Sequence, residues 1–118
     1  MSNFQTAIRF KAEPVRTLAG ASAIQGLYTA IGTALLNPAR QFFIQNLTDQ
    51  TLMFSLDGLT DHFPLPASGF LLDDVTSNAA LSKGLMLAQG EILYVKRLDV
   101  AVPTGSVYFS VFYATDGQ

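Results

Sequence analysis

Along much of the chain, apolar residues recur at every second position. Phe4, Thr6, Ile8 and Phe10 alternate with Gln5, Ala7, Arg9 and Lys11, the period of a half-buried strand. That segment ends at Pro14, which has no N–H for a ladder. Residues 106–113 alternate more strictly, with Val107, Phe109, Val111 and Tyr113 on one face and Tyr108, Ser110 and Phe112 on the other. Aromatics on both faces place this strand inside a two-layer sandwich or against a partner. Residues 41–46 and 51–56 are β-rich runs joined by Leu47-Thr48-Asp49-Gln50, a hairpin pattern in which Asn46 and Asp49 hold the turn. Residues 84–88 and 91–98 flank Gln89-Gly90 as a second hairpin, with Gly90 supplying the positive φ. Asp57-Gly58 closes the strand before it, residues 59–68 with Pro64 and Pro66 read as a loop, and residues 69–74 read as a further strand. Residues 15–38 are less regular. Gly20, Gly26 and Gly32 lower helix propensity, so short strands joined by turns are expected there, although residues 28–36 could make two helical turns.

About eight short strands at this spacing predict an all-β protein, a single β-sandwich or jelly roll. Residues 1–14 form an extended N-terminal arm and residues 15–118 the sandwich. A chain of 118 residues suits one domain with one core. The longest uncharged stretch, residues 17–39, is long enough to cross a bilayer. Its three glycines, with Thr17, Ser22, Gln25, Thr29, Thr33 and Asn37, would leave too many polar groups in hydrocarbon. No signal-peptide pattern opens the chain, because Arg9 and Lys11 come too late. No membrane partner is expected.

Charge changes this picture. Charged residues make up 14% of the chain, against roughly 25% in ordinary domains, so part of the surface is expected to be covered by other subunits. The formal charge of −2 offers no basic excess for phosphates, which argues against a nucleic-acid partner. The charge is uneven. Arg9, Lys11, Arg16 and Arg40 face only Glu13 in residues 1–46, a balance of +3, while residues 47–118 hold Lys83, Lys96 and Arg97 against eight acids, a balance of −5. Such halves either meet head to tail between subunits or pair within one monomer.

Candidate chemistry is sparse. The absence of cysteine excludes disulfides, thiolate zinc sites and thiol nucleophiles. His62, the single histidine, follows Asp61 and lies near Asp57, but a catalytic pair needs a nucleophile and a shaped pocket, and a metal needs several convergent ligands. Asp73-Asp74 invites a cation, yet neighbouring strand residues point to opposite faces, and no twelve-residue calcium loop is present. The glycines fit no phosphate-cradling motif. Ser55 and Ser110 lack a G-x-S-x-G elbow. The aromatics Phe42, Phe43, Phe54, Phe70, Tyr94, Tyr108, Phe109, Phe112 and Tyr113 fall on strand-period runs and are assigned to the core, with some tyrosines as interface anchors. No enzymatic activity, catalytic residue, metal or cofactor is expected.

Three short patterns remain: Asn46-Leu47-Thr48-Asp49, Phe54-Ser55-Leu56-Asp57-Gly58 and Asp61-His62-Phe63-Pro64-Leu65-Pro66-Ala67. Together with Tyr28, Gly32, Arg40, Asp73, Asn78 and Gly105-Ser106-Val107-Tyr108, they resemble a group of small tailed-bacteriophage virion proteins, over residues 16–113. The resemblance implies a β-sandwich or jelly-roll component of the particle, in the virion and assembled in the host bacterial cytoplasm. The implied role is a non-enzymatic, homo-oligomeric capsid decoration or cement protein that clamps capsid subunits. A neck, collar or tail-attachment ring is the alternative, and a carbohydrate-binding β-sandwich module a more remote one. Expected partners are further copies of the chain and the major capsid protein or neck and tail proteins. The expected interface residues are Phe4, Ile8, Arg9, Phe10 and Lys11 in the arm, which could add a strand to a neighbour's sheet, with His62 and Phe63 in the proline-stiffened loop.

Overall fold

The structure, a computed structural model, describes residues 9–74 and 87–115. Nine strands form, and no α-helix occurs among the described residues: β1 (Arg9–Ala12), β2 (Arg16–Ala19), β3 (Thr29–Ala30), β4 (Gln41–Thr48), β5 (Leu52–Ser55), β6 (Phe63–Leu65), β7 (Phe70–Asp74), β8 (Tyr94–Arg97) and β9 (Gly105–Thr115). A single 3-10 turn follows β2 at Gly20–Ser22. The strands make two antiparallel sheets. One runs β1-β9-β4-β7, with β2 also on β9, and the other runs β3-β8-β5-β6. The all-β sandwich expected from the sequence is therefore present.

The pairings have a simple order. β2 pairs with β9, β3 with β8, β4 with β7 and β5 with β6. The chain from β2 to β9 is thus one long antiparallel ribbon whose rungs fall alternately in the two sheets. β9 lies inside its sheet, between β1/β2 and β4. Its alternation is as the sequence implied: Val107, Phe109 and Val111 are buried, whereas Tyr108, Ser110 and Phe112 face outward. Against them pack Phe42 and Ile44 of β4, Leu52 and Phe54 of β5, and Val95 of β8. Burial of these aliphatic and aromatic groups is the main stabilising term.

The hairpin expected across residues 41–56 does not form as a strand pair. β4 and β5 are joined by a turn that carries the chain from one sheet to the other, so they never hydrogen-bond together. The cause is Asn46. Its amide is fully buried and donates to the carbonyls of Gln50 (2.8 Å), Leu65 (2.9 Å) and Pro66 (3.1 Å), while its Oδ1 accepts from the N–H and hydroxyl of Thr48. One side chain thereby ties the turn after β4 to the end of β6. Asp49 is not a cap of its own turn. Its carboxylate accepts from the Thr104 N–H (3.0 Å) and its N–H donates back to the Thr104 carbonyl. Replacing Asn46 with alanine strands several buried polar groups, so unfolding by urea should show a loss of about 2 kcal/mol.

At Gln89-Gly90 the turn exists, with Gly90 at φ +93° and the Glu91 N–H donating to the Ala88 carbonyl. Its flanks are not paired strands, and residues 84–86 lie outside the described residues. Instead the 87–93 segment bonds to the irregular 31–39 segment through Ile31 N to Leu93 O, Leu35 N to Glu91 O and Ala39 N to Leu87 O. Ile31, Leu35 and Ala39 are buried at this four-residue spacing without any helix. The expected 59–68 loop contains a strand, β6, with Pro64 inside it. Proline is tolerated because β6 is an edge strand.

The β1/β2 edge carries a bulge. Ala12 pairs with Phe112 and Arg16 with Phe109, so three residues on one strand oppose two on the other. The Glu13 N–H still reaches the Val111 carbonyl at 3.0 Å, and Pro14 sits where no N–H is required. Glu13 and Arg16 both turn inward, 6% and 7% exposed, and meet at 2.7 Å. Glu13 also accepts from the Leu36 and Asn37 N–H groups and from the Asn37 amide, while Arg16 donates to the Thr33 and Ala34 carbonyls. The pair therefore fastens the irregular 31–39 segment to the sheet. Burial, the largest single influence on Glu13, pushes its pKa up, but these bonds outweigh it and hold the carboxyl below its ordinary value.

Candidate interaction surface

The outer faces of the two sheets differ, and the difference follows from what the loops cover. Across the four-stranded sheet folds the 56–62 loop, locked by a set of short-range bonds. Ser55 is fully buried on the outward side of β5. Its hydroxyl donates to Asp57 Oδ1 (2.8 Å) and accepts from the N–H groups of Asp57 and Gly58. Asp57 Oδ1 also accepts from the Leu59 and Thr60 N–H groups, each at 2.8 Å, and these two donors chiefly hold its carboxyl well below the usual carboxylate range. His62 Nδ1 accepts from the Leu56 N–H at 3.0 Å and lies 3.5 Å from the Ser55 hydroxyl. Serine, histidine and aspartate are thus neighbours, with Ser55 Oγ, His62 Nδ1 and Asp57 Oδ1 bonded within the turn. Gly58, at φ +78°, rests on the Tyr94 ring, where an added Cβ would come within 3.2 Å, so the loop needs glycine to lie this close.

Polar contacts complete this cover. Asp61 accepts from the Tyr28 hydroxyl and pairs with Lys96 at 2.9 Å, and the Lys96 ammonium sits 4.8 Å from the Tyr28 ring centre. The Tyr28 bond, then the Lys96 bond, holds the Asp61 carboxyl low, while burial and then Asp61 push the Tyr28 phenol up. The Lys96–Asp61 and Arg16–Glu13 pairs each stay within their own half of the chain, one in residues 47–118 and one in residues 1–46. Neither joins the basic half to the acidic half.

The five-stranded sheet has no such cover among the described residues. Its outward positions form cross-strand rows: Ala19, Ser106 and Leu47; Thr17, Tyr108, Gln45 and Phe70; Ser110, Phe43 and Leu72; and Ala12, Phe112, Gln41 and Asp74. Only Asp74, at the end of the last row, is charged among them. Phe70 and Leu72 are each 61% exposed and Leu47 is 47% exposed. Phe43 meets Phe70 edge to face at 5.6 Å, so the aromatic surface is continuous from β4 to β7. An exposed face of this extent with a single charged position is characteristic of a surface that other molecules cover. No family model fits the chain, and no curated protein matches it.

The residues expected at an interface are scattered over the fold. Phe4 and Ile8 lie outside the described residues. Arg9 and Phe10 belong to β1, opposite Thr115 and Ala114 of the chain's own β9, and Lys11 is exposed opposite Tyr113. His62 is exposed, and Phe63 is half-buried and stacked on Phe54 at 5.5 Å. Both line a cleft of about 310 Å³ with Phe42, Leu56, Leu71 and Asp73, between the β7 and β6 sides of the sandwich. Asp73 faces this cleft, and no group of three or more potential metal ligands occurs among the described residues. Tyr108 lies on the outward side of β9, between Thr17 and Gln45. Phe43, Phe70 and Phe112, assigned to the core from sequence, lie on the outward side. Strand parity was the available signal: once Phe42 and Ile44 face inward, Phe43 cannot.

Proposed function

We propose that this protein is a non-enzymatic structural subunit of a larger assembly, self-associating and using the outer face of the five-stranded sheet as a contact surface. The charge-poor rows across β2, β9, β4 and β7 carry this reading. A charge-poor composition distributed at random would leave scattered apolar residues, which need no explanation. Here one face holds a single charged position, Asp74 at its β7 edge, while the opposite sheet is dressed with Asp57, Asp61, His62 and Lys96. The ribbon order, in which β2·β9 and β4·β7 share one sheet and β3·β8 and β5·β6 the other, supports describing the sandwich as a jelly roll. That architecture recurs in viral capsid domains. With the resemblance of Asn46–Asp49, Phe54–Gly58 and Asp61–Ala67 to virion proteins of tailed bacteriophages, it favours a particle component, a decoration or cement protein on the capsid or a neck or collar ring.

Native mass spectrometry across a range of protein concentrations tests this. A dimer or trimer is expected for a clamp on a capsid lattice, and a ring of five, six or twelve for a position on the tail axis. Tyr108→Lys, at the middle of the outer face, should shift the distribution toward monomer with an unchanged circular dichroism spectrum. A chain that stays monomeric at every concentration up to its solubility limit overturns the self-association reading.

A further inference from the structure

A carboxylate stands on the core side of β7. The ladder sets Leu71 beside Ile44 and Asp73 beside Phe42, and both Ile44 and Phe42 are core residues. Phe42 in turn pairs with Val111 of β9, which is fully buried. Asp73 therefore ends an inward row that is otherwise apolar. A carboxylate in such a place is costly unless a cation or a hydrogen-bond donor meets it. Elsewhere in the sandwich such groups have partners: Glu13 pairs with Arg16, and Asp61 with Lys96. Asp73, half-buried, meets neither a cation nor a donor among the described residues.

The space in front of it is built for an apolar body. Asp73 opens on the cleft of about 310 Å³, which is walled by Phe42, Leu56, Phe63 and Leu71 and completed by His62. Two of the walls are aromatic, and Phe63 is held by its stack on Phe54. His62 brings no compensating charge, because its Nδ1 accepts from the Leu56 N–H, which requires the neutral tautomer with the proton on Nε2. The cleft is thus apolar and aromatic with one negative group. Aromatic rings and a carboxylate both attract a cation, and the lining holds no lysine or arginine to compete for Asp73.

We infer that this cleft is a binding site for an alkylammonium group: the hydrocarbon chain lies against Phe42, Leu56, Phe63 and Leu71, and the ammonium donates to the Asp73 carboxylate. A small aliphatic amine presents such a group, and so does the lysine side chain of a partner protein. Asp73 repels an anion, and a neutral alcohol gains the apolar walls but leaves the carboxylate uncompensated. The inference does not depend on the outer face of the five-stranded sheet.

Titration of the full chain with n-butylammonium chloride at constant ionic strength, followed residue by residue by NMR, tests it, with n-butanol as an uncharged probe of similar shape. Saturable shifts are expected at the amides of His62, Phe63, Leu71 and Asp73, with a dissociation constant of about a millimolar, within reach of a ligand this small. Butanol should bind about tenfold or more weakly. Asp73→Asn should bring the two probes to within about twofold of each other, with an unchanged circular dichroism spectrum. Nα-acetyl-lysine amide separates the two sources: binding as tight as that of butylammonium assigns the cleft to a partner's lysine, and its exclusion assigns the cleft to a free amine. Equal binding of butanol and butylammonium to the wild type overturns the inference. So does the absence of saturable shifts, and Asp73 is then an inward charge that keeps the β7 edge from pairing. Butylammonium that binds Lys83→Ala but not the wild type would show that the chain's own lysine takes the place, and an external ligand would be wrong.

Discussion

Phe109→Ala is expected to cost about 3–5 kcal/mol of folding stability, the range for truncating a buried aromatic. Phe109 is 1% exposed in the middle of β9, flanked by Arg16 of β2 and Ile44 of β4. Its ring meets Phe42 edge to face at 6.3 Å and lies beside Leu35, Leu56, Leu87 and Leu93. It therefore joins the five-stranded sheet to the irregular segments around Leu35, Leu56, Leu87 and Leu93. The neighbours cannot collapse into the space, because Ile44, Leu52 and Val95 are themselves held in ladders, so a cavity remains. A domain of this size has about 5–15 kcal/mol in total. Urea unfolding monitored by circular dichroism should show a midpoint lowered by roughly a fifth or more with an unchanged slope. A loss below about 1 kcal/mol would mean that Phe109 does not occupy the centre of the core.

What was legible in the sequence was local. The alternation of residues 106–113 identified β9 and its buried face, because a period of two needs no knowledge of the partner strand. The glycine at position 90 and the Asp57-Gly58 reversal were readable for the same reason. Pairing was not readable. The turn after β4 looks like a hairpin turn, yet Asn46 spends its amide on Leu65 and Pro66, nineteen and twenty residues away, and so sends the chain to the other sheet. β6 was concealed by Pro64, which reads as a strand breaker unless the strand is known to lie at an edge. The bulge at Glu13 was hidden because an extra residue exists only relative to the register of β9.

The candidate surface was legible in composition and invisible in position. A low charge content implied that something covers the protein, but nothing in the order of residues says which sheet is left bare. That depends on the 56–62 loop folding over the four-stranded sheet, which in turn depends on Ser55, Asp57 and His62 forming one lock. The residues expected at an interface were chosen as a basic arm and a stiff loop. The structure instead gives prominence to the outward parity of β4, β7 and β9, where Phe43, Leu72 and Tyr108 meet in rows.

Glu13→Ala should be as damaging as the loss of Phe109, for an electrostatic reason. Removing one partner of a buried ion pair leaves the other charge uncompensated, which costs about 3–5 kcal/mol. Arg16 would keep its bonds to the Thr33 and Ala34 carbonyls but lose its counter-charge, and the Leu36 and Asn37 N–H groups would lose their acceptor. The 31–39 segment, which supplies Ile31, Leu35 and Ala39 to the core, would lose its fastening to the sheet. The same carboxylate predicts a pH dependence. Its folded pKa lies below its unfolded value of about 4.3, so its stabilisation is complete above that pH and is lost as pH falls through the lower folded value. Asp49, Asp57 and Asp61 are also held low and weaken the fold in the same direction, so the Glu13 part must be taken as a difference. Glu13→Gln, which keeps the shape and one acceptor, should be less stable than the wild type at neutral pH. The gap between their urea midpoints should narrow as the pH is lowered through the acid range, because protonation makes the wild-type side chain equally uncharged. A gap that stays constant from neutral pH down to about pH 3 would show that the charge of Glu13 contributes nothing and that only its hydrogen bonds hold the segment.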